Sequence, residues 1–144
     1  MELHVKRFDE LSAAELYAIL KLRMEVFMLE QRCLYPELDG LDRDALHIWL
    51  SDADSLAAYL RILDRGVLGD HVTIGRVIAV RRRRGLGTAV MREGIRAARE
   101  RLGADTIYVE AQEYAQPFYE RLGFRRISEP FDEDGIPHVK MLLD

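Results

Sequence analysis

Between Val72 and Gly103 the chain runs from an apolar stretch, VTIGRVIAV, through a turn, RRRRGLG, into a long amphipathic segment. β-Branched residues on both faces of the first stretch fit a strand buried in the middle of a sheet. After the turn, Gly87, Val90, Met91, Gly94, Ile95, Ala98 and Leu102 fall on one helical face, with arginines and glutamates on the other. Gly103 is placed to end that helix. A strand, a glycine turn and a helix in this order make an anion site. The first backbone N–H groups of a helix have no intrahelical partner and lie at the positive end of its dipole. Gly85 and Gly87 let a phosphate approach the main chain, and Arg82, Arg83 and Arg84 at the rim add charge-assisted hydrogen bonds. Neither familiar nucleotide loop fits. The Lys-Ser/Thr ending of a P-loop is missing, and Val90 replaces the third glycine of a dinucleotide fold.

The flanking segments supply the rest of a mixed sheet. LHVKRF (Leu3–Phe8) alternates as a half-buried strand does. Ser12 and Glu15 form a capping-box pattern, and Leu16, Ile19, Leu20, Met24, Phe27 and Met28 carry a helix to about Gln31. The segment from Leu34 to Asp44 is a carboxylate-rich loop. Strands are predicted at Leu46–Leu50, Leu56–Leu63 and Val72–Val80, then at Thr106–Ala111, within GFRRIS and near HVKMLL, with a short helix at YAQPFYERL. The order β-α-β-β-β-α-β-α-β-β gives an α/β class, a mixed sheet of about seven strands with helices on both faces. No repeat or linker interrupts it, so residues 1–144 read as a single domain.

Charge excludes one reading of the arginine run. With 21 basic and 25 acidic side chains the chain carries a net charge of −4, against broad affinity for nucleic acid. No apolar run approaches the roughly 18 residues needed to span a bilayer, so no membrane partner is expected. Charges in MELHVKRFDE argue against an export signal, and the lone Cys33 suits a reducing cytoplasm and an inert, small apolar role. No His/Cys cluster has metal-ligand spacing.

Arg82-Arg83-Arg84-Gly85-Leu86-Gly87 resembles the pyrophosphate-binding motif (Q/R)-x-x-G-x-(G/A) of GNAT-type N-acetyltransferases. The turn before it is about two residues shorter than usual in that family, which leaves Arg82 and Arg84 as alternatives for the family's arginine. AQEYAQPFYERLGF (Ala111–Phe124) is similar to the family block N-x-x-A-x-x-x-Y-x-x-x-G-F, with Ala115, Tyr119, Gly123 and Phe124 in register and Gln112 in place of Asn. LRMEVFMLEQRCLYPELDGLD (Leu22–Asp42), His47, GRVI (Gly75–Ile78) and EDGIPH (Glu133–His138) resemble the ElaA-like branch. The resemblance spans essentially the whole chain.

It implies the GNAT fold and transfer of an acetyl group directly from acetyl-CoA (coenzyme A as carrier) to an amine on a small molecule or peptide. Residues 82–88, with Thr88 closing the motif, would hold the pyrophosphate. Main-chain amides of Ile78, Ala79 and Val80 would hold the pantetheine arm, with Gln112 and Phe118 beside it. Tyr119 matches the family's general acid for the departing thiolate; the alternative is a core aromatic packed with Phe118. A protonated amine also needs a base. Candidates are Glu30, His47, Glu110 and His138, with Glu30 and His138 ranked first because their stretches match the branch. Arg23, Phe27, Glu30, His47 and Arg76 are the expected acceptor-binding residues. Arg23, Arg61 and Arg76 interrupt apolar surroundings and so require either a carboxylate partner such as Glu30 or a substrate anion. The acidic loop around residues 30–44 would favour a cationic acceptor or simply be solvated. A non-catalytic acyl-CoA sensor and an acyl-homoserine-lactone-synthase-like enzyme are the rival readings. Exposed strand edges in this fold allow a homodimer.

Overall fold

A computed structural model describes residues 1–31, 37–53, 55–80 and 85–144. Among these residues eight strands join one sheet. They are β1 (Glu2–Arg7), β2 (Ala45–Asp52), β3 (Ser55–Leu63), β4 (Val72–Ala79), β5 (Ile107–Gln112), β6 (Arg125–Arg126), β7 (Phe131–Glu133) and β8 (Ile136–Leu143). The spatial order is β1-β2-β3-β4-β5-β8, with β6 and β7 both pairing the outer edge of β8. All neighbours run antiparallel except β4 and β5, the strands joined through a helix. Three α-helices, α1 (Ala13–Arg23), α2 (Leu86–Leu102) and α3 (Gln116–Arg121), accompany the sheet.

Helix α1 begins where the sequence pattern places it. The Ser12 hydroxyl accepts from the Glu15 amide at 3.0 Å, and the Glu15 carboxylate accepts from the Ser12 amide at 2.9 Å. The predicted continuation to Gln31 is not α-helical. Residues Met24–Glu30 form a π-helix, closed by the Gln31 amide donating to Val26 O at 3.1 Å. Each π turn holds one residue more than an α turn, so the apolar stripe read at 3.6-residue spacing is rotated beyond Arg23.

Strands β2 and β3 are buried on both faces, which explains their nearly continuous apolar run. Leu46, Ile48, Leu50, Leu60 and Ile62 join the core under α2, with Val90, Met91 and Ala98 opposite. Trp49 and Tyr59 face the other way and pack with Ile19 of α1. Gly94 permits the close approach of α2: a Cβ there would lie 2.7 Å from Leu60 Cδ2.

Two further differences from the sequence-based expectation matter for function. GFRRIS pairs only at Arg125 and Arg126. An unanticipated hairpin joins β7 to β8 through Asp134 (φ +56°) and Gly135 (φ +80°), the left-handed pair a tight two-residue turn requires. The Asp-Gly dipeptide was the available signal.

Candidate active site

The cleft arises because β4 and β5 part. Their parallel pairing consists of Val72 with Ile107 and Thr73 with Tyr108, and stops there. Beyond it a cleft of about 1330 Å³ opens, with β4 residues 73–80 on one side and Tyr108, Glu110 and Gln112 of β5 on the other. A bulge in β4 sharpens the divergence. Tyr59 pairs with Ile78 but Arg61 with Gly75, so Arg76 and Val77 oppose Leu60 alone, and Arg76 takes a left-handed φ of +54°. The Val80 amide donates to Ala57 O at 2.8 Å toward β3. Alternation then turns the Ala79 amide toward the open side.

The N-terminus of α2 faces the same cleft. Gly85, at φ +71°, caps the helix, and its carbonyl accepts from the Ala89 amide at 2.9 Å. That is the first intrahelical bond, so the amides of Leu86, Gly87 and Thr88 precede the helical ladder. Residues 85–88 all border the cleft, and the first turn of α2 has no acidic residue to repel an anion. Gly87 lies against Phe118, 3.5 Å from a Cβ placed there to the ring. Arg82, Arg83 and Arg84 lie outside the described residues, as does Cys33.

Tyr119 on α3 borders the cleft, packed edge-on against Phe118 (5.1 Å between centroids) and Phe124 (5.8 Å). Burial, with Tyr114 nearby adding to it, pushes its phenol up to about 12, so it keeps its proton across the physiological range. Gln112 also lines the cleft, and its side-chain amide donates to Gln31 Oε1 at 3.3 Å.

Of the two partners open to Arg23, Arg61 and Arg76, a carboxylate or a substrate anion, the structure shows the carboxylates of the acidic loop. Arg23 is fully buried; its Nε and Nη2 donate to Glu37 Oε2 at 3.0 and 2.7 Å and its Nη1 to Asp42 Oδ1 at 2.6 Å. Arg61 donates to both oxygens of Asp39 and, at 3.1 Å, to Asp42 Oδ1. Arg76 reaches Glu37 at 2.7 Å and Asp39 at 3.4 Å. The partner carboxylates are Glu37, Asp39 and Asp42, not Glu30. Although burial alone would raise the Asp42 carboxyl, hydrogen bonding and the charges of Arg23 and Arg61 hold it below the usual range. His47 is also fully buried. Its Nε2 donates to Asp42 O at 2.9 Å and its Nδ1 accepts the Tyr59 hydroxyl at 2.7 Å, while burial keeps the ring neutral. Neither Arg23 nor His47 lines the cleft. Their expected acceptor-binding role is replaced by holding the loop against the sheet.

Phe27, Glu30 and Arg76 do border it, Phe27 and Glu30 from the π-helix, with the Arg76 guanidinium 5.9 Å over the Phe27 ring. Of the candidate bases, Glu30, Glu110 and His138 reach the cleft. The β7–β8 hairpin adds Glu133, to which no local sequence signal assigns a role. Its carboxyl is pushed up to about 7, first by burial, then by hydrogen bonding and charge from Glu110, while Arg76 opposes the rise.

Comparison with known proteins agrees with this geometry. Residues 10–144 match the family model described as an acetyltransferase (GNAT) domain. Protein ElaA of Escherichia coli is 40% identical over 137 residues, spanning 92% of this chain and 90% of ElaA. The crystal structure of E. coli ElaA superposes with a TM-score of 0.92 over 99% of each chain, at 36% identity. An acyl-CoA N-acyltransferase from Pseudomonas aeruginosa gives 0.92 over the full length of both chains, at 41% identity. A CoA-dependent acyl-homoserine lactone synthase shares the fold alone, at TM-score 0.80 and 15% identity, over 99% of this chain and 82% of the synthase. A cleft between parted strands, facing the unpaired amides of a helix start, thus belongs to a chain of the GNAT acetyltransferase family, in its ElaA-like branch.

Proposed function

We propose that the protein is an N-acetyltransferase that moves an acetyl group from acetyl-CoA straight to an amine held in the same cleft. The observation that carries this reading is the alignment, along one cleft, of the unpaired amides of residues 86–88, the free edge of β4 and the Tyr119 ring. The fit to the donor is chemical. A diphosphate suits three convergent N–H donors at a helix start, with Gly85 and Gly87 leaving the main chain open to it. An extended amide-bearing arm suits a strand edge that lacks its neighbour, with Ile78, Ala79 and Val80 at its end. No described side chain among residues 85–88 closes the approach.

Tyr119 supplies the proton for the leaving sulfur. A thiol titrates near ~8.5 and this phenol near 12, a gap that would oppose transfer in water. The burial that raises the phenol raises a thiolate in the same place, so the two anions stay comparable. Each transfer converts one ammonium and one thioester into an amide, a thiol and a released proton. The thiolate takes the Tyr119 proton, and the phenolate recovers one from the nitrogen that has just bonded to carbon. Arg61 and Arg76 beside the cleft are neutralised by Glu37, Asp39 and Asp42, so they do not repel a cationic acceptor.

The test is acetyl transfer from acetyl-CoA across small amines, polyamines, amino sugars and peptide N-termini, read as free thiol. Tyr119→Phe should lower kcat by about 100-fold while calorimetric binding of acetyl-CoA is unchanged. Unaltered turnover in that variant removes Tyr119 from the chemistry, and absence of acetyl-CoA binding by the wild type removes the whole reading.

A further inference from the structure

We propose that Glu133, held by Glu110 and His138, is the base that takes the proton from the acceptor's ammonium group; this rests on the acetyltransfer reading above. The β7–β8 hairpin ends β7 with Glu133 at the cleft, facing β5 and β4. Its Oε2 lies 3.4 Å from His138 Nε2. The other ring nitrogen, Nδ1, donates to Ile136 O at 2.7 Å, which fixes the orientation of the ring and aims Nε2 at the carboxyl group. His138 is 9% exposed, so the ring is clamped in the wall and acts as a positioning residue. On the other flank, Glu110 accepts the Tyr108 hydroxyl at 2.6 Å, which commits one of its oxygens and holds the carboxyl group in place beside Glu133.

Other charged groups around Glu133 are Asp134 next in the turn and Arg76 across the cleft; Lys140 on β8 lies over the Phe131 ring, 5.8 Å from its centroid. Two carboxylates so close cannot both be ionised cheaply, so a proton enters and leaves at Glu133 near neutral pH. That is the range in which a base is useful. It is ionised often enough to act and basic enough to pull. The step balances: the acceptor N–H bond breaks, the proton moves to a Glu133 oxygen, and the freed nitrogen pair attacks the thioester carbon. The proton then leaves through the exposed side of Glu133, which is 40% accessible.

The closing experiment compares wild type and Glu133→Gln with two probe nucleophiles, 1,4-diaminobutane, protonated near neutral pH, and hydroxylamine, which is neutral there. Glu133→Gln should lose about 100-fold or more in kcat with the diamine and the rise of its rate through about pH 7, while hydroxylamine turnover and acetyl-CoA binding persist. Raising the pH toward the diamine's own titration should narrow the deficit. Equal losses with both probes, or an unchanged pH profile, overturn the proposal. If the wild type transfers to neither probe, a carbon-13 titration of the labelled carboxyls decides instead. A Glu133 carboxyl titrating in the ordinary carboxylate range overturns the inference, and one titrating near neutral pH supports the carboxyl pairing behind it, so that the failure then lies with the acetyltransfer reading.

Discussion

Replacing Arg23 with methionine tests whether the buried charge network holds the acceptor side of the cleft together. Arg23 is fully buried, and the two carboxylates it binds are 4% and 11% exposed in their side chains. Removing one partner of such a pair costs about 3–5 kcal/mol, because the remaining charge stays in a poorly solvated site. Glu37 keeps Arg76 and Asp42 keeps Arg61, which places the loss toward the lower end, about 3 kcal/mol. For a chain of this size that corresponds to a fall in Tm of about 6–12 °C. Methionine retains much of the volume, so the loss is electrostatic rather than a cavity. Urea denaturation at several pH values separates the two. The Asp42 carboxyl is depressed in the folded protein, so its contribution is present above the unfolded carboxylate pKa of ~3.9 and lost as pH falls through the folded value. The gap between wild type and variant should therefore be greatest near neutral pH and narrow in the acid range, closing as the Asp42 carboxyl of the wild type itself takes up a proton below ~3.9. A loss below about 1 kcal/mol at neutral pH, or a loss independent of pH, refutes the account.

Two other substitutions probe the helix start and the packing beneath it. Gly85→Val places a β-branched residue at φ +71°, with open space around the new Cβ, so the cost of about 1–3 kcal/mol is backbone strain. It should appear in thermal unfolding together with weaker acetyl-CoA binding by calorimetry, and intact binding would detach that turn from the pyrophosphate. Gly94→Ala improves helix propensity by about 1 kcal/mol yet drives a Cβ to 2.7 Å from the buried Leu60 side chain. Overpacking at about 1–3 kcal/mol wins, so chemical denaturation should show a less stable protein; a stabilised one would mean Leu60 yields freely.

The parts of the fold legible in the sequence are those whose signals are local. Ser12 and Glu15 cap α1 in the pattern they display, and the strand Val72–Ala79 and the helix Leu86–Leu102 form where their periodicity predicts. The π-helix was not legible, because Leu16 to Met28 satisfies an α stripe and only tertiary packing selects the wider turn. Nor were the partners of Arg23, Arg61 and Arg76. Their carboxylates lie between 14 and 39 residues away in the chain for the bonds to Glu37 and Asp42, and nothing local distinguishes Glu37 from Glu30. His47 misled for the same reason, its titratable ring being silent about the carbonyl and hydroxyl that enclose it. Glu133 carries no local mark of its place, because only the Asp134-Gly135 hairpin turn gives the carboxylate before it a strand to aim it.

The two rungs that join β4 to β5 give the molecule a seam. On one side lie the first four strands with the arginine-bound loop; on the other, β5 and its three companions with the Tyr119 ring. Whatever lies along the free edges completes a ladder the chain leaves unfinished. Occupancy of the groove and cohesion of the two half-sheets are then one equilibrium, and amides near the fork should gain protection from deuterium exchange when the groove is filled.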